Sequence, residues 1–120
     1  MHKYGALALL VVYAIVLLVL SLVSIGGLET LGSPYDDKIH HFGAYFVLTI
    51  LIANYFNTLN LKRGLLYALI IASTYGVLME VLQNYLTKER MFDVFDMIAN
   101  AFGAIIAVLF MIFIRKLKLK

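Results

Sequence analysis

Cysteine is absent from this 120-residue chain, so no disulfide can staple it and thiol chemistry is excluded, although the redox compartment stays unreadable. Proline occurs once, at Pro34, and tryptophan not at all. Charge is scarce as well: Asp, Glu, Lys and Arg make up 14% of the residues, against about 25% in an ordinary soluble domain. Apolar residues reach 63%, and the mean hydropathy is +0.95. A chain this short with so few polar groups cannot cover a water-facing surface, which makes lipid its solvent. No basic arm with interleaved aromatics occurs, which excludes a nucleic-acid partner.

What is present is long apolar runs. Tyr4 to Ile25 is unbroken over 22 residues, enough to cross a hydrocarbon core of about 30 Å. It follows a short basic start, Met1-His2-Lys3, as a signal peptide does, but is longer than the roughly 7–15 residues of a signal core. It reads as a retained first helix. Gly26-Gly27 and Gly32-Ser33-Pro34 then mark a loop. Three further spans follow, over about 37–57, 65–86 and 91–114. The turn between the second and third is Asn57 to Gly64. The expectation is an all-α integral membrane protein: one domain over residues 1–120, folded as a four-helix bundle.

Charge sign sets an orientation for that bundle. With four spans, Lys3, Lys62, Arg63, Arg115, Lys116, Lys118 and Lys120 share one side without a single acid. The opposite side holds Lys38, Lys88 and Arg90 and all seven acids. Basic loops stay in the cytoplasm, so both termini are expected there, in the cell membrane. The C-terminal basic residues read as contacts to anionic inner-leaflet lipid.

Every unusual polar residue then falls at the extracytoplasmic end of a span. The second span opens with Asp37-Lys38-x-x-His41-x-x-x-Tyr45, and the third closes with Glu80-x-x-Gln83. The fourth opens with Arg90-x-x-Asp93-x-x-Asp96-x-x-x-Asn100-x-x-Gly103, whose Asp, Asp, Asn and Gly form one helical stripe. Ionisable groups in a membrane helix are costly and usually face a partner, a cavity or a substrate. Small residues suggest how two of these spans meet. Ala68, Ala72 and Gly76 recur every four residues, as do Ala99, Gly103 and Ala107. Such faces let membrane helices approach closely, predicting a third–fourth hairpin that sets Glu80 and Gln83 beside Asp96 and Asn100.

The three motifs, in this order and spacing from Asp37 to Gly103, resemble the VanZ-like family. One departure is Ala107, where the family often carries a second glycine. The family's name-giving members are linked to low-level resistance to glycopeptide antibiotics, notably teicoplanin. The resemblance therefore implies a phenotype rather than a reaction.

Each polar residue has a bland reading beside a chemical one. Asp37 can orient His41 for acid–base work, or simply cap its helix. Lys38 can hold an anionic headgroup or neutralise Asp93 or Asp96. Glu80, Asp93, Asp96 and His41 suit a divalent cation, but compensation by Lys38 and Arg90 without metal is favoured, and no cofactor is expected. Arg90 can fork a lipid phosphate. Gln83 and Asn100 can bridge helices, and Tyr45 reads as an interfacial aromatic.

Two functions follow. In the first, an outward polar pocket binds an envelope lipid, a lipid-linked cell-wall precursor or a lipophilic glycopeptide, with a homo-oligomer as an option. In the second, the chain is a membrane enzyme on a lipid-linked substrate, with His41, Glu80 and Asp96 as its catalytic candidates. Neither the Ser-Gly-His triplet nor the paired arginines of lipid phosphatases occur. An exporter is disfavoured, because the first span is uncharged and the polar groups sit at one end.

Overall fold

The computed structural model describes residues 2–22, 36–86 and 94–119. Four helices make up nearly all of it: α1 (Lys3–Leu22), α2 (Asp36–Thr58), α3 (Gly64–Leu86) and α4 (Val94–Leu119). No strand occurs among the described residues. Each helix is long and apolar enough to cross a membrane. At 1.5 Å per residue, 20 to 26 residues give about 30–39 Å, the thickness of the hydrocarbon core or slightly more. The fourth helix runs past its expected end at 114. Arg115, Lys116 and Lys118 therefore lie on the last turns of α4, where their charge complements the helix C-terminus.

The sequence turns the chain sharply between α2 and α3. Asn60 adopts a left-handed backbone, with φ of 59°. The Leu61 amide donates to the Phe56 carbonyl at 3.3 Å, and the Asn60 amide donates to that of Asn57 at 3.1 Å. This is the Schellman arrangement, with asparagine doing what glycine usually does. It satisfies the last carbonyls of α2 and lets α3 start at Gly64.

Helix α2 is the hub, packing most extensively on α4 and also on α3 and α1. It buries Tyr45, Leu48, Thr49, Ile52 and Ala53. Facing them are alanines, Ala68 and Ala72 of α3 and Ala104 and Ala107 of α4, none with any exposed surface. Small side chains here bring backbones close, and dispersion between closely packed atoms replaces the hydrophobic drive that lipid does not supply. Large apolar residues point outward instead, such as Val12 and Ile15 of α1 and Phe102, Leu109 and Phe113 of α4. In water that surface would aggregate; in lipid it is solvated.

The expected α3–α4 hairpin forms, but the two small-residue stripes also serve α2. The Gly103 Cα lies directly against the Phe42 carbonyl and close to the Phe46 amide, so the glycine of α4 admits the backbone of α2, not of α3. Gly76 of α3 makes room for two side chains: a Cβ there would sit 2.9 Å from Asn100 Nδ2 and 3.2 Å from the Tyr45 ring. The reason is volume, since Asn100 is too large to cross a tight α3–α4 contact unless α3 is bare at that level.

Helix α1 is peripheral, with Ala6 its buried residue among those described. Two phenols fasten it. Tyr13 donates to the Ala44 carbonyl on α2, and Tyr75 of α3 donates to the Ala14 carbonyl, both at 2.6 Å. Below these bonds lies an apolar cleft of about 230 Å³, lined by Leu10, Leu48, Ile52 and Ile71 among others.

Candidate functional site

His41 lies in the second turn of α2, Glu80 near the end of α3 and Asp96 in the first turn of α4. Successive helices run in opposite directions, so one helix start meets one helix end and another start at the same level. One donor atom of each of these three side chains lies within 4.8 Å of the others. Glu80 is 1% exposed and Asp96 7%, while His41 is half-buried. Asn100, one turn along α4 from Asp96, is equally buried and joins them.

The geometry fixes the imidazole. An amide oxygen only accepts, so His41 Nδ1 carries a hydrogen and donates to Asn100 Oδ1 at 3.0 Å. The other ring nitrogen, Nε2, is then turned to Asp96 Oδ2, 3.6 Å away. That separation exceeds a hydrogen bond and leaves the two atoms facing each other across a gap. Two carboxylates confined at this spacing repel by roughly 3 kcal/mol even at an effective dielectric of about 20. The cluster thus suits a basic side chain or a cation placed beside it.

Donors are present too. The Tyr45 hydroxyl and Asn100 Nδ2 are buried and have no hydrogen-bond partner among the described residues. Both the Tyr45 ring and the Asn100 amide rest on Gly76, one turn before Glu80 on α3. Gln83, 2% exposed, lies on the same face of α3 one turn after Glu80. The structure therefore gathers His41, Tyr45, Glu80, Asp96 and Asn100 in the interior between α2, α3 and α4, and buries Gln83 on the Glu80 face of α3. Tyr45 is a core residue there, not an interfacial one, because its ring fills the space over Gly76. Of the remaining candidates, Asp37 and Lys38 belong to the first turn of α2 by backbone, with side chains outside the described residues. Arg90 and Asp93 also lie outside the described residues.

Gly76 is the site residue whose role the sequence did not give. Its spacing of four from Glu80 was the available signal, but that spacing reads equally well as a helix–helix contact.

The profile of the VanZ/LLP1 family matches residues 6–115, which includes the whole motif region and most of each of the four helices. Among curated proteins, the chain is 35% identical over 107 residues to "Uncharacterized protein C11E3.10" of Schizosaccharomyces pombe. That alignment covers 88% of this chain and 64% of the yeast protein, so the chain spans somewhat under two thirds of its relative's length. No solved structure matches. By the extent of the profile match, this chain belongs to the VanZ/LLP1 family.

Proposed function

We propose that this chain is a multi-pass protein of the cell membrane whose α2–α3–α4 cluster binds the polar headgroup of an envelope lipid. Both termini are cytoplasmic in this reading, since seven basic residues and no acid fall on their side. The cluster then lies toward the outer leaflet. The observation that carries the reading is the convergence of His41, Glu80 and Asp96 from three helices, beside two buried donors, Tyr45 and Asn100. Apolar contacts alone would hold three such helices together, and burying carboxylates among them costs stability. Their placement is accounted for by a ligand with oxygen acceptors and a cationic or proton-bearing group.

A lipid-linked cell-wall precursor or a lipophilic glycopeptide offers the same chemistry, and occupancy of either would give low-level resistance to teicoplanin.

Native mass spectrometry of the protein released from its own membrane tests the proposal. Wild type should retain a discrete lipid-sized adduct, and Asp96→Asn and Glu80→Gln should lose most of it while remaining folded. Equal adducts on all three proteins would reject the cluster as the binding site. Orientation is checked in intact cells, where Ser33→Cys should react with an impermeant thiol reagent and Lys120→Cys should not; the reverse pattern inverts the topology.

A second reading, an enzyme on a lipid-linked substrate, is favoured by one feature. The Asn100 bond holds the His41 ring with Nε2 beside Asp96, the arrangement of an oriented acid–base pair. Purified protein incubated with lipid extract should then yield a product that His41→Ala does not form.

A further inference from the structure

We propose that His41, Glu80 and Asp96 form a binding site for one divalent transition-metal ion of zinc-like chemistry, held between α2, α3 and α4. The inference deepens the headgroup-binding reading, because a bound cation would supply the positive charge that an anionic lipid headgroup meets.

Four observations carry it. The donor set is one imidazole and two carboxylates, which suits zinc and its neighbours better than magnesium or calcium, whose ligands are oxygen alone. The spacing fits as well. Metal–ligand bonds of about 2.0–2.2 Å at tetrahedral angles put ligand atoms about 3.4 Å apart. His41 Nε2 and Asp96 Oδ2 are 3.6 Å apart, too far to share a hydrogen and near the separation of two ligands on one ion. The Glu80 oxygen lies within 4.8 Å of both, and a side-chain rotation brings it toward the same point.

The third observation is the back of the imidazole. Metal-bound histidines donate their other ring N–H to a fixed acceptor, which sets tautomer and orientation. His41 Nδ1 does this to Asn100 Oδ1 at 3.0 Å, and Asn100 is itself wedged over Gly76. Charge is the fourth: two carboxylates, from α3 and α4, converge with the imidazole and attract a cation. Three protein ligands leave a fourth position open to a small molecule or a headgroup oxygen.

The test uses the full-length protein in detergent, stripped with chelator and dialysed against Zn²⁺. Elemental analysis should find one zinc per chain. His41→Ala and Glu80→Gln should bind at least tenfold more weakly, and Asn100→Ala roughly 10- to 100-fold more weakly. A variant lacking the exposed His2 and His40 should bind as wild type does. Failure of wild type to take up zinc, or undiminished binding by folded His41→Ala, overturns the proposal. Should the variants not fold, Co²⁺-loaded wild type decides. Intense visible bands of a four- or five-coordinate ion support the site, and the weak spectrum of a six-coordinate hydrated ion rejects it. Lipid adducts lost from Asp96→Asn in a protein that binds no zinc would leave the headgroup reading standing without the metal.

Discussion

At the scale of single residues, the cluster is held by unequal partners. Asn100 is the positioning residue, since it orients His41 and occupies the space that Gly76 leaves. Truncating it strands the buried Nδ1–H of His41, and the loss of a buried partner typically costs about 1–3 kcal/mol. Tyr45 behaves differently, because its hydroxyl has no partner among the described residues. Tyr45→Phe should therefore leave unfolding in detergent unchanged or raise stability by up to about 1 kcal/mol, while Asn100→Ala should lower it. A Tyr45→Phe protein as damaged as Asn100→Ala would mean that the phenol is a structural anchor. The sequence pointed at most of these side chains through their spacing, because a polar stripe in an apolar helix has no other cheap explanation. It could not say that Tyr45 is buried: an aromatic near a helix end looks the same whether it meets headgroups or the Gly76 face.

At the scale of helices, glycine placement decides which pairs approach. Spacing put Ala68, Ala72 and Gly76 on one face and Ala99, Gly103 and Ala107 on another, and a small face calls for a close neighbour. Which neighbour was not legible, since the pattern fixes the face of a helix and not the identity of its partner. The structure sets Gly103 on the Phe42 backbone, so α2 and α4 form the tightest pair at the level of His41. A side chain at Gly103 must push the Phe42 carbonyl, which is backbone and cannot rotate away. Gly103→Leu should thus cost more than the roughly 1–3 kcal/mol of ordinary overpacking and move His41 away from Asp96. Phe113→Leu, on the lipid side, is the control and should be nearly neutral. Comparable loss from both in a detergent unfolding series would contradict the α2–α4 contact. The length of α4 was also under-read. Charged residues after Ile114 look like a tail, but on the last turns of a membrane helix their stems still lie along apolar surface while the charges reach water.

At the scale of the whole molecule, four apolar helices follow directly from composition: run lengths near 20 residues leave no other way to satisfy backbone hydrogen bonds in lipid. Their antiparallel order turns three separated motifs into one interior cluster. That convergence is the account's central claim, and the lack of cysteine makes it testable on a clean background. Glu80→Cys with Asp96→Cys, and His41→Cys with Asp96→Cys, should each cross-link rapidly in native membranes with the shortest bifunctional thiol reagent. Glu80→Cys with Ile98→Cys, whose second position faces lipid, should not. Rapid linkage of the first two pairs alone is the expected result; linkage of neither, or equal linkage of all three, would contradict a shared site between α2, α3 and α4.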